Sequence, residues 1–126
     1  MHERGWWSIV ALSGALAVVA GAFAAHALQG QLSTRLLAAF ETGVRYQMWH
    51  TLAMLGVLAW RAAQPLRGQL LVLGLWAMGV LLFSGSLYLM ALAGMRSLGL
   101  ITPLGGVMMI GGWLALAVCV LRHKRS

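Results

Sequence analysis

Four runs of apolar residues, each about as long as a bilayer is thick, constrain this chain more than anything else in it. The first extends from Trp6 to about Leu28, the second from about Val44 to Trp60, the third from about Gln69 to Ala93, and the fourth from about Leu100 to Leu121. A helix needs about 20 predominantly apolar residues to cross the hydrocarbon. Hydrocarbon supplies no partners for backbone N–H and C=O groups, so a segment crossing it must be a helix or part of a closed barrel. The runs are too long for barrel strands. The expected fold is therefore an all-α integral membrane protein, a four-transmembrane-helix bundle forming one membrane domain over residues 1–126, with no room for a separate soluble domain.

Composition agrees. Of 126 residues, 61% are hydrophobic and 9% charged, against roughly 25% charged in a soluble domain. The net charge of +7 would suggest nucleic acid in a soluble protein, but here the basic residues flank the spans, where they set topology and meet lipid headgroups. No basic stretch is interleaved with aromatics in the manner of a single-strand binder, so no nucleic-acid partner is expected. Cys119 is the only cysteine, which excludes an intramolecular disulfide and a cysteine-rich zinc site. The first span could be read as a secretory signal, with Arg4 before it and small residues from Ala22 to Ala27, but its apolar run exceeds the 7–15 residues typical of a signal core. It is read as a retained span.

Lys and Arg counts give the direction of the chain. The side with both termini and the second loop carries Arg4, Arg61, Arg67, Arg122, Lys124 and Arg125; the other carries Arg35, Arg45 and Arg96. This predicts cytoplasmic N- and C-termini in an inner (plasma) membrane. The first loop, Gln29 to Gly43, is longer than a helix hairpin needs. Ser33 or Thr34 could cap a short amphipathic helix through Phe40, with Leu32, Leu36, Leu37 and Phe40 on one stripe, lying along the membrane surface or leaning over the bundle as a lid between the first and second spans. No repeat relates the two halves, which argues against an inverted-repeat transporter.

Membrane helices approach closely where small residues recur. Gly14, Ala17, Gly21 and Ala25 supply such positions in the first span and Gly79 in the third; Gly105, Gly111, Gly112 and Ala115 supply them in the fourth. These faces serve bundle closure or pairing with a second copy equally well.

The polar groups concentrate in the outer half. His26 ends the first span; Glu41, Arg45, Tyr46, Gln47 and His50 enter the second; Ser84, Ser86 and Tyr88 lie in the third; Arg96 and Thr102 flank the last turn. The cytoplasmic half holds almost none beyond flanking arginines. Ionisable residues in a span usually face the bundle interior or a water-filled cavity. Tyr46 and His50, four apart, share a helix face, and Glu41 precedes Arg45 in the favourable order for an ion pair. The simplest reading makes Glu41–Arg45 an edge ion pair, Arg96 an interfacial anchor, and His26 and His50 hydrogen-bond partners joining spans. Ser84 and Ser86 then act as interhelical donors. As nucleophiles they lack an evident acid–base partner.

In these same residues the chain resembles the YgdD/YwdK family of small bacterial membrane proteins, which has eukaryotic relatives. The segments that carry the resemblance are Gly21-Ala22-Phe23-Ala24-Ala25-His26-Ala27-Leu28, Thr42-Gly43-Val44-Arg45-Tyr46-Gln47 with His50, Phe83-Ser84-Gly85-Ser86-Leu87-Tyr88, the run Leu98 to Gly106, and Gly112-Trp113. They cover essentially the whole chain in order; Ala24 stands where the family pattern commonly has glycine. The resemblance implies a four-span inner-membrane protein and no particular reaction.

Three functions compete on this evidence. The first is a non-enzymatic structural or accessory membrane protein, embedded in the lipid bilayer, that self-associates as a homo-oligomer or binds a membrane partner; it predicts a dry, fully paired polar cluster. The second is a small-molecule, lipid or ion site opening to the outer face, a minimal carrier or channel, which predicts a hydrated pocket near His26, Arg45, His50, Tyr88 and Arg96. The third and weakest is a redox protein with metal or haem held by His26 and His50. No cofactor, metal or catalytic residue is assigned.

Overall fold

A computed structural model describes residues 3–125, with side chains described for residues 3–123. The side chains of Lys124 and Arg125, counted above for orientation, lie outside the described residues. Four helices make up the chain: α1 (Glu3–His26), α2 (Thr34–Ala63), α3 (Gln69–Ala93) and α4 (Thr102–Arg125), with a 3-10 turn over Arg96–Leu100 between the last two. Three segments, Glu3–His26, Gln69–Ala93 and Arg96–His123, are long and apolar enough to cross a membrane. Helix α2 is longer, 30 residues, and more polar.

The helix ends follow local chemistry. Ser33 caps α2, its side chain accepting from the Leu36 N–H at 3.2 Å. At the other end the Gln64 N–H closes on the Trp60 carbonyl at 2.8 Å, and Pro65, which cannot continue a helix, follows. Gly94 ends α3 in the left-handed region, at φ 67°, donating to the Met90 carbonyl; a side chain there would be strained. Pro103 falls in the first turn of α4, where its missing N–H has no helical partner to lose.

The separate amphipathic helix expected over residues 34–40 is not present; that stretch forms the first two turns of α2. Thr42 and Gly43 do not interrupt the helix, because the Thr42 hydroxyl donates back to the Ala38 carbonyl at 2.9 Å and Gly43 is pressed against α3. The apolar stripe is real but faces inward. Leu32, Leu36, Leu37 and Phe40 pack with Ala24, Leu28, Ala91 and Tyr88.

Each helix packs on its neighbour in the chain: α1 on α2, α2 on α3, and α3 most extensively on α4. Both termini and the α2–α3 loop share one end, hereafter the terminal end, where Glu3 pairs with Arg61 at 2.7 Å and Gln64 meets His123 at 3.2 Å. A core of Trp6, Val10, Met54, Val57, Leu58, Val72, Leu73 and Trp76 fills the bundle towards that end. The outside is apolar too: Leu12, Val19, Leu81, Val107, Ile110 and Leu114 are all more than half exposed. That is a surface for lipid and not for water.

Glycines set the α3–α4 spacing. A Cβ on Gly105 would run into the Phe83 backbone, one on Gly112 into the Trp76 ring, and one on Gly79 would lie 2.8 Å from Met109 Cγ. Gly14, Gly21 and Gly111 face Thr51, Val44 and Leu75 at ordinary contact distances of 3.7, 3.5 and 3.8 Å. Ala17 is buried and Ala115 packs on the core, whereas Ala25 is exposed.

Candidate functional site

The polar residues singled out in the sequence divide into an uncharged set, buried or half-buried, and an outer set in which His26, Arg45 and Arg96 are exposed and Glu41 is half-buried. Gln47 stands at the centre of the first. Its amide nitrogen donates to the Ser13 carbonyl at 2.9 Å and approaches the Ser13 hydroxyl at 3.3 Å, and its carbonyl oxygen accepts from Tyr88 Oη at 2.6 Å. Ser13 in turn shares a 2.7 Å hydrogen bond with Thr51. One chain of bonds therefore links α1, α2 and α3 near mid-depth. Beside it, Ser84 donates to the Gly43 carbonyl at 2.7 Å. That contact is open because Gly43 has no side chain, and the Tyr88 ring occupies the space: a Cβ at Gly43 would sit 2.8 Å from it. Toward the loop end, Ser86 bonds Thr102 and the Phe83 carbonyl, tying α3 to α4.

His50, nearly one turn further along α2 and about 60° round from Gln47, is buried against α4. Trp113 of α4 donates its indole N–H to His50 Nε2 at 3.1 Å, so the ring proton sits on Nδ1, which donates to the Tyr46 carbonyl at 2.8 Å. Both ring nitrogens are thereby engaged, in the neutral tautomer. Trp76 and Trp113 meet the ring edge-on and Tyr46 stacks on it; Tyr46 also packs against Phe83 and Trp49. Trp113→Phe is expected to lower stability by about 1 kcal/mol, the scale of an interhelical bond in a membrane. In 15N spectra the unprotonated Nε2 signal should move toward that of a ring nitrogen with no donor. A wild-type signal from a protonated Nε2 would contradict this assignment.

The charged residues do not join this set. Glu41 and Arg45 form no ion pair; Arg45 reaches the Thr42 hydroxyl at 3.4 Å, and among the described residues the one salt bridge is Glu3–Arg61. The reason is energetic: an exposed i,i+4 pair contributes only about 0.3–0.5 kcal/mol, too little to hold two hydrated side chains together. His26 is exposed at the end of α1 and has no side-chain hydrogen bond among the described residues, so of the two histidines His50 is the one that ties helices together. Arg96 is exposed on the turn. Among the described residues no group of three or more His, Cys, Asp or Glu is placed to hold a metal.

The terminal end is richer in polar contacts than its sequence suggests. Gln69 is completely buried: its carbonyl oxygen accepts from the Leu66 N–H at 2.8 Å and from Arg61 at 3.4 Å, while its amide donates to the Gln64 carbonyl at 3.1 Å. It clamps the α2–α3 loop. The Cys119 thiol donates to the Arg67 carbonyl beside it. Ser13, Thr51 and Gln69 are the residues the sequence reading missed. A serine and a threonine inside apolar runs gave one available signal, since hydroxyls in a span require a partner.

The chain is similar to known proteins over most of its length. The family described as "Protein of unknown function (DUF423)" matches residues 20–106. A "UPF0382 membrane protein" of Haemophilus influenzae is 44% identical, the match covering 97% of this chain and 98% of the relative. The "UPF0382 inner membrane protein YgdD" of Escherichia coli K12 is 38% identical, covering 100% of this chain and 96% of that protein. A "UPF0382 membrane protein" of Staphylococcus haemolyticus is 41% identical over 89% of this chain and 91% of its own length. No solved structure matches.

Proposed function

The chain belongs to the family of unknown function DUF423, and we propose that it is a non-enzymatic structural or accessory protein of the inner membrane, crossing the bilayer four times. One observation carries this reading. Every buried side-chain nitrogen or oxygen among the described residues has a hydrogen-bond partner within the chain, and these bonds join α1 to α2, α2 to α3, α2 to α4 and α3 to α4. Polar groups in hydrocarbon are costly when unpaired; here they are consumed in holding helices together. A transport or catalytic site would keep donors or acceptors free for its ligand.

The crossing by α2 rests on its place in the fold. It packs between α1 and α3 and runs about 45 Å at 1.5 Å per residue, more than the roughly 30 Å of hydrocarbon. Its outward residues Trp49, Leu52 and Leu55 are apolar, while Gln47, His50 and Thr51 point inward. The excess of Arg and Lys at the terminal end supports cytoplasmic termini, and the name of the Escherichia coli relative supports the inner membrane. Gly56 on α2 and Gly74 on α3 meet nothing within 4 Å, which leaves room for another helix to approach, from a second copy or a partner.

Native mass spectrometry of protein extracted gently from its own membrane tests this reading. A homo-oligomer or a stoichiometric protein partner is expected. A reproducibly retained polar small molecule, lost on Arg45→Ala or His50→Ala, would overturn it in favour of a binding site at the loop end.

A further inference from the structure

Helices α1 and α3 both lean on α2 but leave a cleft of about 610 Å³ between them, open to the side. Its α1 wall runs from Ile9 to Phe23 and its α3 wall from Ala77 to Leu92, and Phe40, Gln47 and Met54, seven apart on α2, form the floor. We propose that this cleft seats one acyl chain of a bilayer lipid, lying lengthwise along the helices.

Dimensions select the occupant. Fourteen residues of helix between Ile9 and Phe23 rise about 21 Å at 1.5 Å each, close to two-thirds of the roughly 30 Å hydrocarbon thickness. Spread over that length, and with the radius of a water molecule added at each wall, the cleft is about 9 Å across, still narrower than the 10–12 Å diameter of an α-helix with its side chains. An extended hydrocarbon chain fits, and a transmembrane helix does not.

Chemistry selects it as well. No charged residue lines the cleft, so nothing there would hold a headgroup. The polar atoms on its walls are already committed: Tyr88 donates to Gln47, Gln47 to Ser13, and Ser84 to the Gly43 carbonyl. What remains is apolar wall from Leu16, Val19, Leu81 and Leu92. Water does not fill such a space, and left empty it would forfeit dispersion contacts along its whole length.

The probe is phosphatidylcholine carrying a diazirine on one acyl chain, dispersed in phosphatidylethanolamine–phosphatidylglycerol vesicles that contain the full chain. After photolysis, labelled residues are read by mass spectrometry. Val19 and Leu81 in the cleft and Val107 and Leu114 on α4 have nearly equal exposure, 64%, 64%, 65% and 63%, so exposure alone predicts equal labelling. A seated chain predicts several-fold more at the cleft positions. Gly85→Leu, which places a side chain in the cleft where nothing lies within 4 Å of a Cβ, should abolish that excess; so should Leu81→Trp, read at Val19. Gly56→Leu, equally unobstructed but away from the cleft, should leave it unchanged. Unaltered labelling of Val107 and Leu114 shows that each variant is folded. Equal labelling of cleft and α4 face in the wild type would overturn the proposal, and so would labelling of the cleft below the α4 face, which would mean that protein fills it. An oligomer or partner seen by native mass spectrometry bears on the accessory function alone, so the two proposals fail separately.

Discussion

Gly105→Val is expected to destabilise the fold by about 3 kcal/mol, near the upper end for overpacking a well-packed site. The helices of the α3–α4 pair touch backbone to backbone here, and a Cβ at Gly105 would penetrate the Phe83 main chain. A side chain can rotate out of the way; a helical backbone cannot. The two helices would have to separate, and the loss would extend to Gly79 against Met109, to Gly112 against Trp76, and to the Ser86–Thr102 bond at the same interface. The adjacent Gly106 provides the control, because its Cβ would meet only the edge of the Phe83 ring at 3.8 Å. Gly106→Val should therefore be nearly neutral. Reversible unfolding of the two variants in bilayers or micelles compares them directly, and equal stability would show that α3 and α4 do not pack at this distance.

Gln47→Leu is the second large effect expected, about 2 kcal/mol. Leucine has a similar volume and suits the apolar surroundings, so the loss comes from the partners left behind. Tyr88 Oη loses the acceptor it reaches at 2.6 Å, and Ser13 loses the amide that joins α1 to α2. An orphaned buried polar group costs about 1–3 kcal/mol, tempered in membranes because the unfolded chain also finds partners. Ser84→Ala should cost less, about 1 kcal/mol, since it removes a donor while the Gly43 carbonyl retains its place in the α2 helix.

The elements differ in how far their sequence foretold them, and for physical reasons. Helix α3 occupies the residues its apolar run marks, Gln69–Ala93, because glycines in the left-handed region, Gly68 and Gly94, bound it on both sides. Helix α2 starts ten residues before its apolar run. Hydropathy reports depth in the membrane, whereas helix continuity depends on caps, and the only cap in the region is Ser33. At the site, Gln47, His50, Ser84, Ser86 and Tyr88 were conspicuous because such groups need partners inside a span. Their partners were not conspicuous. The Gly43 and Tyr46 carbonyls have no sequence signature, and Trp113 reads simply as another apolar residue. Toward the loop end, Arg45, His26 and Arg96 are exposed and Glu41 is half-buried; position along a span does not by itself say which way a side chain faces. Gln69 was hidden at the edge of its run, where a glutamine passes for an interfacial residue.

That the buried polar residues are internal ties, bonded to one another instead of held ready for a ligand, is tested most directly by a double-mutant cycle on Gln47 and Tyr88. Stability is measured in bilayers for Gln47→Leu, Tyr88→Phe and the double variant. Internal ties predict that both single changes destabilise and that the double change costs less than their sum, by about 1 kcal/mol, because removing both partners leaves no orphan. Strictly additive changes would contradict this, showing that the two side chains do not depend on each other and that their polar atoms find water or a ligand.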